Sequence, residues 1–411
     1  MSPGTVRVGI VTAPGYTKRI GEGLYYSLPE LLKTYVDDTK EWVVESLESP
    51  LTGYTEEPDE VLGALLEKKK ANEWDIAICL TDLPLFRDKK LIVAEANSSE
   101  NVALLSLPGL GATPLIKRIR ESIMQLLSEM YQGISYEARD EVQRTIGQID
   151  KRRRKKYNSR ELVRKRGFDR FSPITRETPD ADKMSEVRYT VDSRTRGAMR
   201  LITGMVRANR PWMLFAPFIK VLVIAFTTGT FAVVFPTLWK LSNHYNLWRM
   251  FMINVVAVSL LVFWIMAAHK MWERKNDHSS NYIRRLYNST TLMTLMTMVS
   301  FYYTLLFICF QLIVFVLLPI DFIAEELNED METRSYFFIA WTATSISTII
   351  GALGSTIEDE EVVLSGTYGN RQRQRYELMY EAEQEKKEAA EEKEEAARKK
   401  KEAIKEKMGE R

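Results

Sequence analysis

The sequence predicts two unlike parts: an α/β N-terminal cytosolic domain with a mainly parallel or mixed sheet and flanking helices, and an all-α four-helix transmembrane domain. A charged helix is expected at the C-terminus. Three observations carry this reading. Strand-like and helix-like patterns alternate through the first 131 residues. Four apolar stretches of about twenty residues, the length that crosses a bilayer core of roughly 30 Å as a helix, fall between Pro211 and Ser355. From Arg371 onward nearly every residue is Glu, Lys, Arg, Gln or Ala.

The expected domains are 1–131, an α/β domain; 132–210, a basic linker; 211–356, the membrane part; and 357–411, the tail. In the first, strands are predicted at 6–12, 42–47, 74–80, 90–96 and 102–107, with helices near 18–36, 58–72 and 113–131. The last helix carries an apolar stripe at Leu115, Ile119, Ile123, Leu126 and Met130. It opens on Thr113 and Pro114, a capping residue followed by a proline at the first helical position. Such alternation points to helices packed on a mainly parallel sheet. The strands 90–96 and 102–107, joined by five polar residues, alternatively form a hairpin, which makes the sheet mixed. The chain starts on Val6-Arg7-Val8-Gly9-Ile10-Val11, which reads as a strand and not as a signal peptide.

Of the 411 residues, 57 are Lys or Arg and 55 are Asp or Glu. This balance argues against a nucleic-acid partner, but it hides an asymmetry. Residues 1–131 hold 14 basic and 20 acidic side chains, whereas 132–210 hold 21 and 11. Within the second stretch, 151–166 has ten Lys or Arg against Glu161 alone. Such a run is drawn to anionic lipid headgroups, at about 1 kcal/mol per basic residue near the surface. Residues 194–210 read as an amphipathic helix lying on the membrane surface. Ala198, Leu201, Ile202, Met205 and Val206 make its apolar face, and Arg196, Arg200 and Arg207 its polar face.

The predicted spans are 215–239, 249–268, 292–318 and 336–355. Lys270, Arg274, Lys275, Arg284 and Arg285 lie between the second and third. Between the third and fourth, Asp321, Glu325, Glu326, Glu329, Asp330 and Glu332 face only Arg334. By the positive-inside rule both termini are cytoplasmic, in a multi-pass protein of the plasma (inner) membrane. No carboxylate lies within a span, which counts against ion-coupled transport. On the fourth span Thr344, Ser347, Gly351 and Ser355 form a face of small residues. Such a face lets helices pack closely, within the bundle or between subunits, and a homo-oligomer is expected.

Ligands of α/β sheets bind beyond the carboxyl ends of the strands. Two loops occupy that place. One contains Thr12, Gly15 and Thr17, whose hydroxyls and flexible glycine suit a phosphate at the next helix's N-terminus. The other contains Gly109, Gly111 and Thr113; it begins like a dinucleotide fingerprint but has Pro114 where the third glycine belongs. Asp82, just past the third strand, completes the candidate set. Tight turns and helix caps are the simpler account of these residues. The domain has no histidine, and the chain's two cysteines, Cys79 and Cys309, make no metal motif. No catalytic residue, metal or cofactor is therefore assigned. The expected function is a regulatory or scaffold protein with a ligand- or partner-binding cytosolic domain, a cytosolic protein being one possible partner. The rivals are a channel or transporter gated by that domain, and a membrane-tethered enzyme acting on a phosphorylated substrate.

Overall fold

The structure is a computed structural model. It describes residues 4–50, 55–87, 90–112, 115–133, 162–163, 167–178, 185–215, 218–273, 281–328 and 332–354, with positions 374, 377, 380 and 384 of the tail. The chain divides into two compact units, 1–200 with 371–411, and 201–370.

The first unit is built on an eight-stranded mixed sheet. Its strands are β1 (Thr5–Thr12), β2 (Glu41–Glu48), β3 (Ile76–Thr81), β4 (Leu85–Arg87), β5 (Lys90–Asn97), β6 (Val102–Ser106), β7 (Thr175–Glu177) and β8 (Val187–Val191), in the order β2-β1-β3-β6-β5-β8-β7, with β4 pairing β5. The pairs β2-β1, β1-β3 and β3-β6 are parallel, and those made by β5 and β8 are antiparallel. The hairpin alternative for 90–107 therefore holds, its turn closing on Asn101 in the left-handed region (φ 53°).

Three helices flank the sheet: α1 (Tyr16–Tyr35), α2 (Pro58–Ala71) and α3 (Leu115–Gln132). Side chains alternate across a strand, so each face has its own core. Val11, Ala77, Cys79, Val102 and Leu104 pack with Val61, Leu62 and Leu65 of α2. On this face a Cβ on Gly9 would lie 1.9 Å from the Trp74 ring, so glycine is required there. Thr12, of opposite parity, meets α1 at Gly21. The charge order of α2 fits the helix dipole, with Asp59 and Glu60 in its first turn and Lys68, Lys69 and Lys70 in its last.

The first unit departs from the expected boundary at residue 131. β7 and β8 come from the segment assigned to the basic linker, and β8 pairs with β5 along Leu91–Ala96. All five residues of β8 are buried. Its Arg188 is carried into the interior because Glu95 of β5, itself fully buried, pairs with it. The run 151–161 lies outside the described residues.

Helix α4 (Arg194–Asn209) forms where an amphipathic helix is predicted. Its buried face is rotated from the predicted one: Gly197, Arg200, Leu201, Gly204, Met205, Ala208 and Asn209 are buried, whereas Ala198, Ile202 and Val206 are only partly covered. Protein takes up much of the apolar stripe that was expected to meet lipid. Asn209 donates to Thr294 Oγ1 at 3.0 Å, and Thr290 lies against the sulfur of Met205.

The second unit is helical. After one turn at Pro211–Leu214 come α5 (Ile219–Val234), α6 (Pro236–His244), α7 (Leu247–Ala268), α8 (Asn281–Leu317), α9 (Ile320–Leu327) and α10 (Arg334–Gly354). Three of them, α7, α8 and α10, are long and apolar enough to cross a membrane, and α5 with α6 makes a bent pair that passes the same test together. This unit is membrane-embedded. The first predicted span is thus not one straight helix: it breaks by 88° between α5 and α6. Pro236 supplies the reason. It has no amide hydrogen to continue the ladder, and its ring holds Phe235 extended (φ −86°, ψ 127°). Helix α8 has 37 residues, about 55 Å at 1.5 Å per residue, and so runs well beyond the predicted 292–318. Ser355 and nearly all of the tail lie outside the described residues.

Candidate functional site

The order β2-β1-β3 means that the chain leaves β1 for one side and returns on the other. That reversal makes the carboxyl ends of β1 and β3 the switch point of the sheet, the place where open α/β sheets bind ligands. The loop after β1 brings Thr12, Gly15 and Thr17 to it, and the loop after β3 brings Asp82. The backbone knits the edge together: Ala13 N–H donates to Leu80 O (3.3 Å), Ser49 N–H to Thr12 O (2.9 Å), and Leu107 N–H to Thr81 O (2.9 Å).

Gly15 is exposed and has φ +98°, which explains the glycine. It precedes the 20-residue α1, whose N-cap position supplies no side-chain hydrogen bond. The first turn holds no acidic residue, and Lys18 and Arg19 are exposed there. Lys18 pairs with Glu48 at 2.6 Å. Thr17 is not free to take a ligand, because its buried hydroxyl donates to Ala13 O. Thr12 Oγ1 is buried without a hydrogen-bond partner, and its side chain points toward Gly21 of α1. Asp82 is 1% exposed and so lies beneath the surface.

The second predicted loop has a structural explanation. Pro108–Leu110 is a single 3₁₀ turn. A Cβ on Gly109 would lie 3.0 Å from Val93 Cα, so this glycine permits the turn to touch β5. Gly111 has φ +80° and closes the turn by donating to Pro108 O at 3.0 Å. Ser106 ties both loops, its hydroxyl donating to Leu83 O (2.8 Å) and accepting from Gly109 N–H (3.4 Å). Thr113 lies outside the described residues. Among the described residues, no three His, Cys, Asp or Glu side chains gather as a metal-ligand set.

Of the three arginines assigned to the membrane surface, Arg196 and Arg207 are exposed, and Arg207 lies 4.4 Å over the Trp212 ring. Arg200 is a correction. It is fully buried, pairs with Asp169 at 2.6 Å, and donates to Ser172 Oγ (3.2 Å) and Leu110 O (3.1 Å). Burial pushes its pKa down while Asp169 holds it up and Arg118 pushes it down further. Arg118 also donates to Asp169. Nothing in the local pattern around Asp169 foretells this cluster, whose two arginines lie 31 and 51 residues from it.

In the membrane unit, Thr344 and Ser347 are fully buried and Gly351 is buried. A Cβ on Gly229 of α5 would lie 2.0 Å from Ser347 Oγ, and one on Gly351 would lie 2.7 Å from Tyr302 Oη and 3.2 Å from Ala225 Cβ. The small face of α10 is therefore filled by α5 and α8 of the same chain. Of the two uses such a face allows, packing within the bundle is the one seen at Ser347 and Gly351.

Comparison with known protein families, with curated proteins and with solved structures finds no match.

Proposed function

We propose that this chain is a multi-pass regulatory protein of the plasma membrane, whose cytosolic α/β domain binds an anionic small ligand in the β1/β3 crevice. The observation that carries the reading is the start of α1, without a side-chain cap, at the switch point of the sheet, with Lys18 and Arg19 in its first turn. Backbone amides and basic side chains placed together favour a phosphate or carboxylate.

Four crossings with both termini cytoplasmic are supported by the helix lengths and by the loops. Trp239 of α6 stacks edge-on to Phe322 of α9 at 5.8 Å, so these two short helices share one end of the bundle. That end carries the carboxylates Asp321, Glu325 and Glu326, whereas the α7–α8 connection carries Lys270, Arg274 and Lys275. Helix α5 with the bend at Phe235 then counts as the first crossing. A pore along α10 has less support, because Gly229 and Gly351 bring backbone and side chains into contact there.

The test is thermal unfolding of the full chain in detergent against nucleotides, phosphorylated metabolites and carboxylates. A ligand at a hundred times its Kd adds about 2.7 kcal/mol. Gly15→Val, strained at φ +98° with no clash, should abolish the shift without unfolding the domain. A folded protein that responds to none of these sends the reading to protein–protein scaffolding. Cysteines placed at Asn246 and Lys270 should label from opposite sides; labelling from one side refutes the topology.

A further inference from the structure

We infer that Arg118, held by Asp169 and Arg200, is a binding site for a phosphate group beside the Leu107–Ala112 turn. This goes beyond the crevice reading, since none of the three residues belongs to the β1/β3 loops. The Nη1 of Arg118 donates to Asp169, whereas its Nε and Nη2 are screened from solvent and have no hydrogen-bond partner. Those two nitrogens form one side of the planar guanidinium, and their parallel N–H bonds match two oxygens of a phosphate. A bidentate edge is thus intact, buried and unused, in a protein interior where donors are nearly always paired.

The surroundings fix this edge and leave it short of negative charge. Arg200 is fully buried and bound on three sides, by Asp169, by the Ser172 hydroxyl and by Leu110 O. It holds Asp169, and Asp169 in turn holds Arg118. Among these three side chains two guanidiniums thus share one carboxylate, an excess of one positive charge. The first turn of α3 contains no acidic residue that could take the edge, and Glu121 one turn on lies 3.8 Å from Lys117. The side chain of Arg118 retains 11% exposure against 5% for Asp169, so the Arg118 side of the cluster is the less covered one, and an anion meets the screened Nε–Nη2 edge once the side chains over it move aside. A phosphate there turns an excess cation into a compensated pair, and it can come from a soluble metabolite or from a lipid headgroup.

The full chain is unfolded thermally in detergent with inorganic phosphate, against chloride at equal ionic strength, and in nanodiscs of phosphatidylcholine with and without phosphatidylglycerol. A raised midpoint is expected from at least one phosphate source. Inorganic phosphate acting alone marks a soluble ligand, and a response only to phosphatidylglycerol marks a headgroup. In either case Arg118→Lys, which keeps the charge and loses the fork, should weaken the apparent affinity at least tenfold. Both proteins are compared in the Gly15→Val background, so that the crevice contributes nothing to the response and the tenfold difference belongs to Arg118. The inference is overturned if no source raises the midpoint, if Arg118→Lys responds like the wild type, or if Gly15→Val alone removes the response. Should Arg118→Lys fail to fold, hydrogen exchange of wild-type residues 115–120 decides. Slower exchange with the active phosphate source is expected, and unchanged exchange overturns the site.

Discussion

Replacing Glu95 by glutamine tests whether β8 is held in the sheet by a buried charge. Glu95 is fully buried and accepts from Arg188 Nε, while Arg87 approaches it to 3.3 Å. Arg87 has a second carboxylate, Asp59, at 2.7 Å. Arg188, only 7% exposed, would be left with the Ser185 hydroxyl at 3.1 Å. Removing one partner of a buried pair costs about 3–5 kcal/mol. Glutamine keeps an acceptor and Arg87 keeps Asp59, so the expected loss lies at the low end, about 3 kcal/mol. That is a large part of the roughly 5–15 kcal/mol of a typical domain. Since a chain of two units need not unfold in one step, the assay is local. Amide exchange at Val187–Val191 and Thr175–Glu177 should accelerate by about two powers of ten, while β1 and β3 change less. The double change Glu95→Met with Arg188→Leu should recover most of the loss, because apolar replacements of a buried pair are close to neutral. Unchanged exchange in the single variant, or a double variant as weak as the single, refutes the reasoning.

Gly229→Ala in α5 places a methyl 2.0 Å from Ser347 Oγ and 2.3 Å from Phe310 Cζ. Overpacking of this kind should cost about 1–3 kcal/mol in a micelle melt, with partial relief from Ser347→Gly. Burial, aided by Asp37, pushes the Tyr131 hydroxyl up to about 12. The folded state therefore holds this proton more tightly than the unfolded chain. Its contribution is complete below about pH 10 and is lost as pH rises toward the folded value, and Tyr131→Phe should flatten that alkaline limb in a melt-versus-pH series. Glu45 behaves in the opposite sense. Hydrogen bonds from the Trp74 indole and from Arg7 hold its carboxyl below the usual range. Its contribution is present above the ordinary glutamate value and fades as pH falls through the lowered one; Trp74 fluorescence in an acid titration reads this, and Glu45→Gln should remove the transition.

The parallel half of the sheet was legible because its central strands β3 and β6 are unbroken apolar runs, as buried parallel strands require, while the edge strand β2 alternates exposed and buried residues over Glu41–Val44. The strand at 187–191 has the same character, but Arg188 and the basic residues around it masked the signal. Only Glu95, 93 positions away, makes that arginine a core residue. Arg200 was misplaced for the same reason, its charge compensated by Asp169 on a different element. The bend at Phe235 was present in the sequence as Pro236, and length and hydropathy alone overrode it. At the crevice, residue types indicated the right edge of the sheet. Which of them remain available to a ligand depended on local bonds, such as that from Thr17 to Ala13, that no spacing records.

Helix α10 is the least apolar of the three long membrane helices and about twice as buried as α7 or α8. It is also the last to leave the ribosome. Its hydroxyls at Thr344, Ser345, Ser347 and Thr348 suit a protein neighbour better than lipid. Membrane insertion of this segment then depends on helices already in place, and the earlier ones wait with an unfilled groove. Assembly of this bundle is in effect sequential, its last helix entering a groove that α5 and α8 have already formed.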